Sequence, residues 1–295
     1  MNIFIYSYPY DENSGGIIAL HRLCHVINDT TEHKAYLVSN EWSYSKWKKI
    51  RYKFKKPRLF ITKDGWNTPI WTKKEFPNNA VVIYPEVVTG NPLGLRHVVR
   101  WLLHQPGFHT GKIDYGKNEL YFKFNSAIHD FHRDTCTMSK NEMKVIYYPI
   151  DTYANQGLKR DIDCCYIVRK GEDKPHIHPE DAICLDGRSH HEIAEIFNRA
   201  KRFISYDDYT AYSLFAVLAG CESVVVPGEG VGLTDWYAQV SDRYGLAYGL
   251  SDEQLSWAQQ TQAKVLEHIV SEHQKVEQCV AECLHEMKEF FELNR

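Results

Sequence analysis

Five polar side chains crowd the predicted start of a short helix within residues 205–227 (SYDDYTAYSLFAVLAGCESVVVP), and together they could bind a charged ligand. They are Asp207, Asp208, Tyr209, Thr210 and Ser213. Gly220 ends the predicted helix, and the apolar run after it is typical of a buried parallel strand. Because a helix N-terminus beside such a strand attracts anions, the segment predicts a site for a nucleotide diphosphate.

Strands and helices alternate along the rest of the sequence, which predicts an α/β fold with a first domain over 1–150. Apolar runs predict strands at 2–7, 34–39, 80–84, 119–124, 143–148, 163–168, 182–185, 202–205, 223–226 and 246–248. Apolar residues at helical spacing predict helices at 17–27, 98–103 and 189–200, and one or two more within 251–293.

Length and composition are typical of a soluble globular protein with about two domains. The 295 residues carry a net charge of −3, which gives no overall field to attract nucleic acid. The eight cysteines form no CxxC pair, and we interpret them as reduced thiols of a cytoplasmic protein. No apolar run approaches the roughly 20 residues that a membrane helix needs.

Residues 46–58 form a basic stretch that contains eight Lys or Arg residues, three aromatic residues and no acid. A solvated loop or helix face is one interpretation of this stretch. The other is a patch that meets an anionic membrane surface or a lipid-diphosphate acceptor. Nucleic acid is a weaker third choice, because the rest of the chain is not basic.

Three stretches of the chain resemble bacterial glycosyltransferases with the GT-B fold. Ser14-Gly15-Gly16 and the residues up to Leu23 are similar to the glycine-containing loop after the first strand of that class. Residues 84–107 (YPEVVTGNPLGLRHVVRWLLHQPG) resemble a stretch of polysaccharide glycosyltransferases, and 205–227 resembles the donor-binding loop, helix and strand. Together these stretches cover about a fifth of the chain.

The resemblance implies two Rossmann-like domains that face each other across a cleft. The nucleotide-sugar donor would bind mainly to 151–270 and the acceptor mainly to 1–150, with a terminal helix at 271–295 packing back toward the first domain. Many retaining members carry a Glu-Ala pair where this chain has Phe215-Ala216. The carboxylate that holds the ribose is therefore missing, or is supplied by Asp207, Asp208 or Glu222, and the stereochemical outcome stays open.

Sugar transfer from a diphosphate requires groups that stabilise the charge of the leaving group. Arg169 and Lys170 follow a predicted strand, where parallel sheets bind ligands, although two solvated loop charges are an equal alternative. The hydroxyls of Tyr209, Thr210 and Ser213 would bond the phosphate or ribose. Helix capping by Thr210 or Asp208 is the structural alternative.

Acceptor-side chemistry is expected at the ends of the first strands. Glu86 would act as general base or hold the acceptor sugar, and Asp11, with its neighbour Glu12, is an alternative base. Gly15 and Gly16 would let the backbone approach a ligand closely, or would only make the turn. Asn91, Arg100 and His104 would line the acceptor cleft, with a helix-surface salt bridge as the other use of Arg100.

No cofactor or metal is expected. Asp161-Ile162-Asp163 is a DxD sequence, but it precedes its predicted strand rather than following it. The histidine pairs His176/His178 and His190/His191 lack further ligands at a zinc-like spacing. The expected protein is a metal-independent, nucleotide-sugar-dependent glycosyltransferase for a bacterial surface glycan or its lipid-linked precursor, cytoplasmic or peripheral on the inner membrane. The alternatives are a non-catalytic module that binds sugar or nucleotide, and a sugar-nucleotide epimerase of the same fold.

Overall fold

The chain divides into two compact units, and each contains its own parallel β-sheet. The computed structural model describes residues 1–43, 60–133 and 135–293. The first unit comprises Met1–Tyr147 and Gln274–Arg295, and the second is Tyr148–His273. The predicted α/β class is confirmed in its coarse form, because the chain combines two parallel sheets with α-helices, which is consistent with Rossmann-like domains. The basic stretch 46–58 lies outside the described residues.

Six parallel strands in the order β2-β1-β3-β4-β5-β6 form the sheet of the first unit. Helix α1 (Gly15–Thr30) follows β1, and a 3-10 turn (Asn40–Ser43) follows β2. The chain reverses its direction of travel across the sheet between β1 and β3, which is where sheets of this type bind ligands. The strands are β1 (Asn2–Ser7), β2 (Lys34–Ser39), β3 (Ala80–Pro85), β4 (His97–Leu102), β5 (Leu120–Lys123) and β6 (Thr137–Glu142).

The sheet of the second unit has the order β11-β10-β9-β7-β8, again with parallel neighbours. Read from β8, this is the same order of second, first, third, fourth and fifth strand as in the first unit. Its switch point lies between β7 and β9. The strands are β7 (Ile162–Ile167), β8 (Ile183–Cys184), β9 (Ala200–Ser205), β10 (Glu222–Val225) and β11 (Leu246–Tyr248).

Five more helices occur in the described part of the chain, besides a second 3-10 turn at Val240–Arg243. Ser189 and Glu192 form a reciprocal capping box at the start of α2, and the Ser251 side chain caps α5. The helices are α2 (His190–Arg199), α3 (Tyr212–Leu218), α4 (Leu233–Trp236), α5 (Asp252–Thr261) and α6 (Lys264–Phe290).

Helix α6 begins in the second unit and ends in the first, where it is attached to the edge strand β6. Glu286 accepts hydrogen bonds from the Ser139 hydroxyl at 2.7 Å and from the Asn141 amide at 2.9 Å. The thiol of Cys279 donates to the carbonyl oxygen of Glu142 at 3.0 Å. Met287 is fully buried, so this part of α6 belongs to the core of the first unit.

Two predicted elements are wrong. Residues 98–103 were predicted as a helix, but His97–Leu102 is the buried strand β4, because a short apolar run fits either element. Residues 143–148 were predicted as a strand, but the ladder is made by β6 at Thr137–Glu142. The N–H of Met143 still donates to the carbonyl oxygen of Lys123 on β5. Other backbone groups of 143–148 bond side chains: the carbonyl oxygen of Met143 accepts from the Trp101 indole, and the N–H of Tyr148 donates to His273.

The described residues contain no helix that is both long enough and apolar enough to cross a membrane. All eight cysteines are unpaired. Cys24, Cys164, Cys165, Cys221 and Cys283 are buried, and burial raises the pKa of the Cys164 thiol to about 11. A raised pKa keeps such a thiol protonated, so the buried cysteines behave as small apolar side chains.

Candidate functional site

The loops after β7, β9 and β10 meet at the carboxyl edge of the second sheet, because these strands are parallel neighbours. Gly171 lies so close to the second loop that an added Cβ atom would stand 2.1 Å from the carbonyl oxygen of Tyr206. No other residue type fits there without moving a backbone. The loops after β7 and β9 are therefore in direct backbone contact at the switch point.

Arg169 occupies a constrained turn at the end of β7. Its φ of +46° lies in the left-handed region, which is uncommon for a residue with a side chain. The carboxylate of Asp186 holds the turn by accepting from the backbone N–H groups of Val168 at 2.8 Å and Arg169 at 3.2 Å. Backbone strain of this kind persists where the surrounding structure enforces it, often at functional sites.

The side chain of Arg169 faces the loop after β9. Its Nε lies 3.8 Å from Oδ2 of Asp207, and its guanidinium carbon lies 5.6 Å from the ring centre of Tyr212. About a third of the Arg169 side chain is exposed, whereas Asp207 is almost fully buried. The cation therefore keeps an exposed surface that a ligand can reach.

Lys174 is a basic residue of this site that the sequence reasoning missed. Its ammonium group donates to Oδ1 of Asp208 at 2.7 Å and to the carbonyl oxygen of Val226 at 2.6 Å. These bonds connect the loops after β7 and β9 to the end of β10. Lys170, the lysine predicted for this role, is exposed. The only sequence signal for Lys174 was its position three residues after Gly171 in the same loop.

The loop after β9 is fixed from several sides. The Ser205 hydroxyl donates to the carbonyl oxygen of Asp207 at 2.7 Å, and the Trp236 indole donates to that of Asp208 at 2.7 Å. Asp207 also accepts from the backbone N–H of Tyr209 at 3.2 Å. The two carboxylates are therefore held in place before any ligand binds.

Tyr209, Thr210 and Ser213 differ in how far their polar atoms are satisfied. Tyr209 is half-exposed, and burial, with a smaller contribution from Asp208, raises the pKa of its phenol, which keeps it a proton donor. The Thr210 hydroxyl oxygen accepts from the backbone N–H of Tyr212 at 3.4 Å. The Ser213 hydroxyl is buried and has no hydrogen-bond partner in the described residues.

Helix α3 begins only after Asp207, Asp208, Tyr209 and Thr210, which were predicted to crowd its start. It has seven residues, starts at Tyr212, and has no side-chain cap at Ala211. The polar groups of this edge are therefore mainly side chains on loops, and a helix dipole of this length adds little.

Phe215 stands in place of the glutamate of the expected Glu-Ala pair, and Glu222 is one of the three residues considered for the missing ribose carboxylate. Phe215 is buried in the core of the second unit, where it stacks on Tyr153 with ring centres 4.3 Å apart. Glu222 begins β10 at the opposite, amino edge of the sheet and pairs with Arg202. Asp207 and Asp208 are the alternatives that lie at the carboxyl edge.

The carboxyl edge of the sheet in the second unit therefore contains two cations, two carboxylates and one hydroxyl without a partner in the described residues. Arg169 and Lys174 can stabilise phosphate oxygens, since charge-assisted bonds from these groups are strong. Asp207 and Asp208 can accept hydrogen bonds from sugar hydroxyls. A ribose diphosphate presents both kinds of group.

Glu86 lies at the carboxyl edge of the first sheet, directly after β3 and next to the switch point. It is buried, and its Oε2 accepts from the backbone N–H of Leu103 at 3.1 Å. A Cβ added to Gly16 would lie 3.5 Å from the Leu103 side chain, whereas one added to Gly15 would meet open space. Gly15 and Gly16, which are the first two residues of α1 and not a turn, are thus brought to the same edge as Glu86 through Leu103.

Asp11 is exposed, and its Oδ1 accepts from the backbone N–H of Asn13 at 2.9 Å, a turn contact within its own loop. His104 lies on the loop after β4, half-exposed, with its ring stacked on Phe108 at 4.1 Å between centres. Its Nδ1 accepts from the backbone N–H of Gln105 at 2.8 Å. Both residues are at the carboxyl edge of the first sheet.

Arg100 and Asn91 serve the packing of the first unit. Arg100 is fully buried and binds the Glu119 carboxylate through Nε at 3.1 Å and Nη2 at 2.8 Å. Its remaining donors reach the carbonyl oxygens of Val88 at 2.6 Å and Gly90 at 3.0 Å. Asn91 accepts from the Tyr84 hydroxyl and donates to Leu95. This geometry corrects both predicted uses of Arg100, since it lies on a buried strand and its donors are engaged.

Within residues 1–43, 60–133 and 135–293, no three His, Cys, Asp or Glu side chains are placed to hold a metal ion together.

No protein-family model matches this chain, and no curated protein matches its sequence.

Proposed function

We propose that this protein is a glycosyltransferase of GT-B type that takes its sugar from a nucleotide diphosphate. The observation that carries the proposal is the carboxyl edge of the second sheet, where Arg169 and Lys174 lie beside Asp207 and Asp208 at a switch point. Cations for a diphosphate and carboxylates for a ribose are there in one place. The resemblance of 205–227 to a donor-binding segment supports the same choice of ligand.

In the proposed reaction, the bond between the anomeric carbon and the diphosphate oxygen breaks and the diphosphate leaves. Arg169 and Lys174 stabilise the charge that develops on the leaving group. Asp208 gives up part of its contact with Lys174 when the phosphate enters, and accepts a ribose hydroxyl instead. Ser213 supplies its unsatisfied hydroxyl, so that ligand binding removes a buried unpaired polar group.

The acceptor belongs on the first unit in this proposal. Glu86 takes the proton of the attacking hydroxyl as general base, and Asp11 is the alternative base. The Gly15-Gly16 pair gives the acceptor room, since Gly15 has open space around it. The proposal includes a two-lobed arrangement with a cleft. The acceptor is a bacterial surface glycan or its lipid-linked precursor, and the protein attaches peripherally to the membrane.

The test is calorimetric titration of the purified chain with UDP, GDP, CDP and dTDP, followed by assays with the matching nucleotide sugars. We expect one diphosphate to bind, and Arg169→Met and Lys174→Met each to weaken it tenfold or more. Lys201→Met is the matched control, because Lys201 also pairs with an aspartate, Asp163, but at the amino edge of the same sheet. The proposal fails if no diphosphate binds, or if the Lys201 variant weakens binding as much as the Lys174 variant.

A module that binds the nucleotide sugar without turnover is the second candidate. The observation in its favour is Phe215, which fills a core position where the resembling enzymes carry a glutamate. Product analysis separates the candidates: the enzyme releases free nucleotide diphosphate only with an acceptor, and the module releases none. An epimerase would convert the nucleotide sugar without any acceptor.

A further inference from the structure

A group of three aromatic rings and two cations lies in the first unit, beside the loop that carries Asp11 and Glu12. It consists of Tyr10, Arg22, Lys63, Trp66 and Tyr147, and we call it the cation–aromatic cluster. Tyr10 follows β1, and its backbone N–H donates to the carbonyl oxygen of Ile61 at 2.8 Å, which brings the segment around Lys63 to this edge. Arg22 lies on α1, two turns after the Gly15-Gly16 pair at its start.

Lys63 is surrounded by the rings. Its ammonium nitrogen lies 5.5 Å from the ring centre of Tyr10, 5.6 Å from that of Trp66 and 5.4 Å from that of Tyr147. The guanidinium carbon of Arg22 lies 5.5 Å from Trp66 and 5.9 Å from Tyr147. Two positive charges therefore share the same two rings.

Neither cation has a carboxylate partner in the described part of the chain. Arg100, Arg169 and Lys174 each pair with an acid, but Arg22 and Lys63 make no such pair. Nε of Arg22 is buried and has no hydrogen-bond partner among the described residues. Asp29 and Glu277 act on Arg22 only at longer range. Aromatic faces attract cations, but they do not neutralise two like charges that lie close together.

Burial shifts the pKa of two members of the cluster, Arg22 and Tyr10. Burial lowers the pKa of the Arg22 guanidinium, so its charged form is less stable here than in water. Burial also raises the pKa of Tyr10 to about 12, so its phenol stays protonated and can donate a hydrogen bond. An anion that enters the cluster would gain from both groups.

We propose that the cation–aromatic cluster binds a phosphate group carried by the acceptor, with Arg22 and Lys63 as its two cationic contacts. Arginine offers a planar pair of N–H donors that matches phosphate geometry, and lysine adds a point charge. The exposed parts of Trp66 and Tyr147 supply apolar faces for the group that carries the phosphate. The assignment to the acceptor rests on the proposed function, whereas the phosphate site itself does not.

The experiment uses the full chain and titrates it by calorimetry with inorganic phosphate, glucose 1-phosphate and farnesyl phosphate. Every titration is repeated with saturating UDP and with the Arg169→Met variant, so that binding to the second unit is recognised. Lys63→Met and Arg22→Met remove the two cations one at a time. Lys73→Met is the matched control, because Lys73 lies 5.4 Å from the single ring of Trp71 on the same unit.

We expect at least one phosphate probe to bind in the presence of UDP, and Lys63→Met and Arg22→Met each to weaken it tenfold or more. Lys73→Met should change the affinity less than twofold, and Lys63→Arg, which keeps the charge, should retain most of it. A preference for glucose 1-phosphate identifies a sugar phosphate, and a preference for farnesyl phosphate identifies a lipid phosphate.

Four results would overturn the inference: no binding of any of the three phosphate probes, unchanged affinity in either cation variant, equal weakening by the Lys73 control, or binding of choline in place of phosphate. Circular dichroism identifies a variant that fails to fold, and the Lys63→Arg variant then decides by its affinity. Failure of the proposed donor site is a separate result, since it is read from UDP binding in the second unit.

Discussion

The two sheets share one strand order, yet their switch points carry different chemistry. In the second unit, two cations and two carboxylates from neighbouring loops face each other around Gly171, with part of their surface exposed. In the first unit, the corresponding edge holds Glu86 and the glycine pair that begins α1, and the arginine of the neighbouring strand is buried. The strand order determines which loops meet at the switch point, and the residues at the strand ends determine which ligand those loops can bind.

The largest expected effect separates buried from exposed charge pairs. Arg100→Met leaves Glu119 buried without its partner, and we expect the free energy of unfolding to fall by about 4 kcal/mol. Lys123→Met breaks the surface pair with Asp130, which lies on the loop after β5, and should cost much less, because solvent screens an exposed pair. Urea titration measures both. Equal losses would mean that the buried pair contributes no more to the stability of the first unit than the surface pair does.

A smaller effect is expected from the glycines of the two edges. Gly171→Ala forces the Tyr206 backbone away, and we expect a loss of about 2 kcal/mol in stability together with the loss of diphosphate binding. Gly15→Ala meets open space at the first position of α1, so it should leave stability unchanged or raise it by a few tenths of a kcal/mol. Denaturant titration and UDP calorimetry test the pair, and a tolerated Gly171→Ala would contradict the tight contact of the two loops.

A gain in stability, smaller than the loss expected for Gly171→Ala, is expected from two buried serines whose hydroxyls have no partner in the described residues. Ser213→Ala and Ser223→Ala each remove an unsatisfied hydroxyl, and each should raise stability by about 1 kcal/mol. Ser213 lies on α3, which follows the loop at the carboxyl end of β9, whereas Ser223 is the second residue of strand β10. Only Ser213→Ala should therefore also weaken diphosphate binding. If the Ser223 variant weakens binding equally, the hydroxyl of Ser213 is not a ligand contact.

The regular elements were predictable where the local pattern was unambiguous. The strands at 2–7, 34–39 and 246–248 are confirmed to the residue, because each is an apolar run bounded by turn residues. The run VVRWLL was not predictable in this way, since five apolar residues around one arginine fit a strand or a helix equally well. Which one forms is decided by the hydrogen bonds that β4 makes with β3 and β5.

The site was predictable as a region but not as a set of contacts. Residues 205–213 were recognised because their polar side chains are adjacent in the sequence. Lys174 was missed because its partners are Asp208 and Val226, 34 and 52 residues away, and only the packing of three strand ends joins them. Arg100 was misassigned for the same reason, since its partner Glu119 lies 19 residues away on the loop before β5.

The two-part composition of the first unit has a consequence for synthesis on the ribosome. Its strands emerge early, but the segment of α6 that covers β6 emerges only after the whole second unit. At typical elongation rates the delay is on the order of ten seconds. During that interval β6 is an uncovered edge strand, which is a known starting point for aggregation. Nascent chains that stall near residue 273 should therefore depend most on chaperones.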